Sequence, residues 1–249
     1  MNGNAKEVDG GYLLKATKRF ITNGPSSNLC IVFARTLAGR NPFALTAFLV
    51  DMSWKGATHG REYEKVGYRT VHMGELVFED VFVPKNHVIG ARGTGLRVLA
   101  ESTGWERGIL VATALGPMAR GVDECVQRAR TRYQYDKPIG AFQGVSSRIA
   151  NMITRHQLCR MAIYDMASKV DDGRSIQPFL MDAAITKLFV SENYVQVELD
   201  AVQIFGVRGI LLEYFTQQDL RDSLTSTIWA GTSETLRNTI AKLVDLPVE

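Results

Sequence analysis

Few residues of this chain are spaced for chemistry. The four histidines, His59, His72, His87 and His156, have no Glu three residues upstream, so the inward-facing Glu-x-x-His pairs of a di-iron bundle are missing. Cys30, Cys125 and Cys159 are odd in number and share no metal-like spacing, which reads as three reduced thiols rather than a redox pair. There is no Gly-Lys-Ser/Thr phosphate loop and no Gly-x-Ser-x-Gly elbow. The polar residues that remain have plain readings of their own. Glu106 beside Arg107 is an exposed helical glutamate, and Phe20 is an inward residue of a strand. Arg132, in a run with Arg128 and Arg130, is a solvated helix end, although its rigid fork of donors also suits a diphosphate. Gly231-Thr232-Ser233 is a cap on the last helix.

Two kinds of element must position these residues. The first ninety residues alternate β-rich runs with turn signals: GYLLKATKRFIT, NLCIVFART, FALTAFLVD and GELVFEDVFVP read as strands of a sandwich or barrel. After PKNHVIGARGTG the apolar residues recur at three and four, and helices are expected over about 95–131, broken near Gly104, and over about 143–171, 178–205, 213–222 and 232–244. Gly173 and the turn Gly206-Val207-Arg208-Gly209 are the expected stops. The fold class is therefore α+β: a partial β-barrel or sandwich domain at 1–92, then a four-helix bundle at 93–249.

Bulk properties exclude more than they select. A chain of 249 residues, 45% hydrophobic and 22% charged, has the composition of an ordinary globular protein. The net charge of +3 comes from scattered basic residues and does not point to nucleic acid. No apolar run approaches the roughly 20 residues of a membrane span, and the polar, glycine-rich start is no signal peptide. A cytoplasmic location follows by default.

Taken together and in order, five stretches resemble the acyl-CoA dehydrogenase family of flavoproteins. YLLKATKRFITNG is similar to the strand that meets the flavin, and GELVFEDVFVP with GARGTG to the exit from the β-domain. RTRYQYDKPIGAFQGV is similar to the Arg-x-x-Phe-Gly-x-x-Ile-x-x-Phe-Gln stretch, and AVQIFGVRG and WAGTSETLRN to the two C-terminal cofactor segments. The resemblance implies FAD as cofactor. It places Phe20, Ile21 and Thr22 beside the isoalloxazine, and Arg132, Tyr135 and Gln143 at the pyrophosphate and adenosine of a neighbouring subunit's flavin. Gln203, Gly206 and Val207 are implied at a second backbone approach, and Thr232 and Glu234 at the pyrophosphate and ribose. Tyr135 stands for the usual Phe, Asp136 for Gly and Val207 for a second Gly, and Gly104 stands where relatives often carry Asp.

The family reaction removes a proton from the carbon α to a thioester while hydride leaves the β-carbon for flavin N5, so a carboxylate base is needed. The family's commoner position for it is occupied here by Ala230. Glu106 matches the alternative position used by the isovaleryl- and long-chain branch, where a small residue at the later site leaves room for it. Arg107 would then orient Glu106 and meet the substrate. No metal is implied. The partners implied are an acyl thioester of coenzyme A or an acyl-carrier protein, an electron-transfer flavoprotein or similar acceptor, and further copies of the chain in a dimer or tetramer. The family's N-terminal helical domain is not in the sequence. That leaves open a truncated chain, or a non-catalytic subunit completing a partner's flavin site. An oxygen-using acyl-CoA oxidase is the other alternative.

Overall fold

The computed structural model describes residues 3–37, 44–171 and 175–248. The expected turn at 39–42, Phe43 at the head of one expected strand, and the expected stop at Gly173 lie outside the described residues. The chain divides between Ser102 and Thr103 into two compact units.

The first unit is built on one seven-stranded sheet. Its strands are β1 (Gly3–Val8), β2 (Gly11–Thr22), β3 (Leu29–Arg35), β4 (Leu45–Asp51), β5 (Ala57–Glu62), β6 (Met73–Pro84) and β7 (Val88–Ile89), in the spatial order β5-β6-β2-β1-β3-β4-β7. Every pairing is antiparallel except β1 with β3. Along β2, Tyr12, Leu14 and Ala16 turn inward at period two and meet Phe48, Val50, Phe78 and Val81 in the core. The four expected strands are present. β1 and β5 escape a hydrophobic reading for different reasons. In β1 the buried positions are the small residues Gly3 and Ala5, and the signal lies instead in the Asp9-Gly10 turn, with Gly10 at φ 75°, that pairs Val8 with Gly11. β5 lies at the sheet edge and is exposed after Ala57, so it carries polar residues.

The second unit is helical. α1 (Gly95–Gly108) runs into it across the division and is followed by a 3-10 turn, Leu110–Ala114, and by α2 (Leu115–Thr131). The break therefore falls at 110–114 and not near Gly104 as expected. Val111 and Ala114 are both buried, and three-residue periodicity sets them on one face, whereas Gly104 is packed within an unbroken helix. A short hairpin, β8 (Tyr133–Gln134) and β9 (Lys137–Pro138), leads to α3 (Gln143–Val170), then α4 (Leu180–Phe205), α5 (Phe215–Ser226) and α6 (Ser233–Leu243). α4 is the hub, packed against α2, α3, α5 and α6. A helix so enclosed needs an apolar surface most of the way round, and Ala183, Ala184, Val190, Tyr194, Val197 and Ala201 provide it.

Polar groups on α4 are all the more costly for that enclosure. Glu198 is fully buried opposite Gly121 of α2, and neither carboxyl oxygen has a hydrogen-bond partner. Burial first, and then the charge of Asp219, push its pKa up to about 9, with Arg120 opposing. Arg120 is held elsewhere, donating to both Asp219 oxygens at 2.6 and 2.7 Å and so joining α2 to α5. Glu198 is consequently a neutral acid in the folded chain. An unfolded chain gives up that proton near the ordinary glutamate pKa, so stability falls as pH rises from there to about 9 and is level beyond. Glu198→Gln is expected to stabilise the protein by a margin that grows across that window, exceeding about 1 kcal/mol by pH 8.5, since one pH unit corresponds to roughly that much. Urea denaturation of both proteins at pH 5 and pH 8.5 checks it, and a difference independent of pH refutes it.

Candidate active site

The segment before α6 meets one of the helical unit's expected site residues, Arg107, and leads into two others, Thr232 and Glu234. Ala230 and Gly231 are successive residues with positive φ, 53° and 102°, so the chain turns sharply before Thr232 caps α6. Gly adopts such a backbone freely, whereas Ala does so at a cost of roughly 1–2 kcal/mol. Arg107, near the end of α1, donates from Nε to the Ala230 carbonyl at 2.8 Å. Lys187 of α4 donates from Nζ to the Gly231 carbonyl at the same distance, and its ammonium lies 5.5 Å from the centre of the Trp229 ring. Two cations from two helices thus hold consecutive carbonyls of the kink. Lys187 is fully buried, and desolvation together with the charge of Arg107 depresses its pKa to about 8.

This contact ties the end of α1, where Glu106 is the residue before Arg107, to the segment that carries Ala230. The Glu106 side chain is more exposed than that of Arg107, and no hydrogen bond or ion pair engages its carboxylate among the described residues. Partial desolvation raises its pKa above the usual glutamate value, against the pull of Arg107. The Thr232 hydroxyl accepts from the Thr235 amide at 3.3 Å, and Glu234 is exposed in the first turn of α6. Burial of Ser233 leaves its hydroxyl without a partner. Lys187 is the residue that sequence reasoning missed. Its signal was a lysine inside the largely apolar run AAITKLFV, four residues before the buried Ser191.

The remaining residues of this unit lie at its surface. Tyr135 and Asp136, with φ 51° and 61°, form the two-residue turn between Gln134 and Lys137. A tight hairpin of this kind requires positive φ at both central positions, and Asp tolerates it, which accounts for Asp136 where a glycine is usual. The hairpin projects Tyr135, 88% exposed, next to the exposed Arg132 and Gln143. At the end of α4, Gly206 takes φ 62° and ψ −138°, a backbone essentially restricted to glycine. Val207 points outward and is 72% exposed, and Gln203 is exposed as well. The glycine that makes a close approach there is Gly209, whose Cβ would fall 2.5 Å from the Val202 carbonyl oxygen.

In the sheet unit, an extra residue in β2 between the pairs Lys18–Leu76 and Ile21–Gly74 produces a bulge. Phe20 sits in it with φ 59° and is turned outward, 67% exposed, rather than inward as its strand pattern alone would have it. Ile21 packs partly against the core, and Thr22 ends the strand, exposed. The Phe20 ring stacks on Tyr63 with centroids 5.1 Å apart and planes at 29°. The Tyr63 hydroxyl donates to Glu75 at 2.5 Å, Glu75 pairs with Arg19 at 3.1 Å, and the Arg61 guanidinium lies 5.4 Å from the Tyr63 ring. A cleft of about 500 Å³ on this unit, lined by Asn4, Lys15, Thr17 and Arg35 among others, contains none of these residues. Burial pushes the thiols of Cys125 and Cys159 up to about 12 and that of Cys30 to about 11, so all three are protonated at neutral pH.

A seven-stranded sheet unit followed by a helical unit is a mixed α+β architecture. The chain belongs to the acyl-CoA dehydrogenase family: residues 93–244 match the profile "Acyl-CoA dehydrogenase, C-terminal domain" and residues 1–81 match "Acyl-CoA dehydrogenase, middle domain". It is 36% identical over 242 residues to a mitochondrial isovaleryl-CoA dehydrogenase of Oryza sativa subsp. japonica, covering 97% of this chain and 58% of that protein. A prolyl acyl carrier protein oxidase, AnaB, superposes with a TM-score of 0.95 at 31% identity, over 99% of this chain and 64% of that one. PigA with FAD and proline superposes at 0.94 with 33% identity, over 100% and 64%. The chain thus spans about three fifths of the length of the proteins it matches.

Gly104 illustrates how packing decides a departure from the family pattern. A Cβ there would lie 2.6 Å from Cγ2 of Ile176, itself fully buried, and 3.1 Å from Leu180. No side chain fits without displacing that contact. Gly104→Asp and Gly104→Ala are both expected to destabilise, by about 1–3 kcal/mol from overpacking alone. Gly144→Ala, at an exposed position in the first turn of α3 with no non-adjacent atom within 4 Å of the added Cβ, is expected to stabilise by up to about 1 kcal/mol. Thermal melts of the three variants check the opposite signs.

Proposed function

We propose that this chain forms the flavin-binding and base-bearing part of an enzyme that dehydrogenates an acyl thioester at its α and β carbons, with Glu106 as the base. The observation that carries the reading is the bond from Arg107 to the Ala230 carbonyl. It joins the α1 segment bearing a carboxylate to the segment where a small residue leaves space for one. A base gains from added basicity, and partial desolvation raises the Glu106 pKa against the pull of Arg107, with no ion pair to its carboxylate among the described residues. Arg107, occupied by the Ala230 carbonyl, steadies the end of α1 and supplies positive charge near the thioester.

The residues present suit FAD, which when bound supplies the hydride acceptor. Phe20, aimed outward and backed by Tyr63, offers a flat wall, with Ile21 and Thr22 following it. Thr232 and Glu234 open α6, whose N-terminus favours a phosphate. Arg132, Tyr135 and Gln143 are exposed on one stretch around the hairpin, as expected of groups that serve a flavin in a second copy. Gln203, Gly206 and Val207 are likewise exposed at the end of α4. A homo-oligomer is further supported by apolar residues left exposed on α3 and after α4, among them Met161, Tyr164, Ile210 and Leu212. The thioester is carried by coenzyme A or by a carrier protein, the two carriers named for the relatives. An electron-transfer flavoprotein is the proposed acceptor, and hydrogen peroxide formed in air would mark the oxidase alternative, which the AnaB likeness favours. No helix is long and apolar enough to cross a membrane among the described residues, and a cytoplasmic site of action is proposed.

In the full-length protein, Glu106→Gln is expected to keep FAD and bind thioester while losing at least about a hundredfold in anaerobic flavin reduction, the usual worth of a positioned base. Stopped-flow bleaching with coenzyme A and carrier-protein thioesters measures it, and an unimpaired rate would place the base elsewhere. Arg132→Ala is expected to purify with much less FAD than its parent, by absorbance in the flavin band. Equal occupancy would return Arg132 to a solvated helix end.

A further inference from the structure

We propose that Lys187 is a positioning residue, which together with Arg107 locks the strained Ala230–Gly231 kink and so sets both the wall opposite Glu106 and the start of α6. The proposal deepens the dehydrogenase reading and, for its effect on rate, rests on it.

A structural role alone does not explain Lys187. It is fully buried on the most enclosed helix, and it donates to the Gly231 carbonyl at 2.8 Å. Enclosing an ammonium costs stability, and a well-packed apolar side chain of similar volume is often as stable or more so. What the ammonium adds is a directed grip. Ala230 at φ 53° lies in a region that its Cβ disfavours, so the kink relaxes unless contacts hold it.

One donor on one carbonyl would leave the neighbouring peptide plane free to rotate. Arg107 takes the carbonyl of Ala230, and Lys187 takes that of Gly231. Successive planes are therefore held from two helices, and the Trp229 ring lies 5.5 Å from the ammonium, a further favourable contact. The residues that follow depend on this geometry. The Ser233 amide bonds the Thr227 carbonyl at 3.1 Å, and the Thr232 hydroxyl receives the Thr235 amide at 3.3 Å. Without the grip the kink samples relaxed backbones, Ala230 leaves its place, and the first turn of α6 loosens.

The test replaces Lys187 by Met in the full-length protein and adds Ala230→Gly, because glycine adopts positive φ without strain. Hydrogen–deuterium exchange over residues 228–235 is the first readout, and it needs no catalysis. Lys187→Met is expected to speed exchange there by at least about tenfold, a loss of about 1.4 kcal/mol of local protection. The double variant Lys187→Met with Ala230→Gly is expected to recover part of it. The second readout is anaerobic flavin reduction. Lys187→Met is expected to slow the limiting rate by about tenfold with thioester affinity little changed, and the double variant to be faster than Lys187→Met. A double-mutant cycle completed with Ala230→Gly alone isolates the coupling.

Unchanged exchange in Lys187→Met, or no coupling in the cycle, overturns the proposal. So does failure of both Lys187→Met and Lys187→Gln to fold, which would make Lys187 a requirement of the bundle rather than of the kink. If Glu106→Gln reduces its flavin normally while the exchange result holds, the assignment of the base fails and the grip on the kink stands.

Discussion

The helical unit is arranged around a pair of carbonyls that must be held in an unfavourable place. Ala230 and Gly231 turn the chain by successive positive φ angles, and the cost is offset by charged donors from α1 and α4. That requirement explains why a lysine lies inside α4 and why Arg107 points toward the α6 segment. It also explains why α1 and α6, 123 residues apart along the chain at this contact, are tied together. Gly231 leaves room for the grip, since a Cβ there would come within 3.2 Å of the Arg107 guanidinium.

Around that point the bundle tolerates an unusual amount of buried polarity on one helix. Lys187, Ser191 and Glu198 recur along α4 at helical spacing and are all inaccessible to water. Each meets the cost differently. Lys187 bonds a carbonyl, Ser191 bonds its own helix at Leu188, and Glu198 keeps its proton. Such groups narrow the ways in which α2, α5 and α6 can dock, because any slippage would strand a donor or an acceptor.

The sheet unit solves its own positioning problem by backbone irregularity. A bulge in β2 turns Phe20 out of the core, and the ring is steadied by Tyr63, Glu75 and Arg19. Tyr63 lies on no hydrophobic repeat, and only the fold sets its ring against Phe20. An outward aromatic supported from behind is a stiffer surface than a lone side chain at a loop tip, which is the property a planar ligand demands of a wall.

Much of this was legible in the residues alone. Periodicity placed the long helices 143–170 and 180–205 within a residue or two, and the motif order identified the family. Both are local properties: side-chain spacing along one element, and short runs whose types are dictated by a backbone turn. The edge strand β5, the small-residue strand β1 and the shifted helix break at 110–114 were not legible, because pairing and burial decide them rather than composition. Glu106 and Ala230 could be matched to positions, but the bond that relates their segments could not be read from either. Lys187, Tyr63 and Gly104 owe their significance to neighbours 44, 43 and 72 residues away in sequence. The sequence by itself determined which segments are helix or strand and which turns require special backbone, since those depend on adjacent residues. Only the tertiary structure decided which buried charges meet which carbonyls, because that depends on where separate elements come to rest against one another.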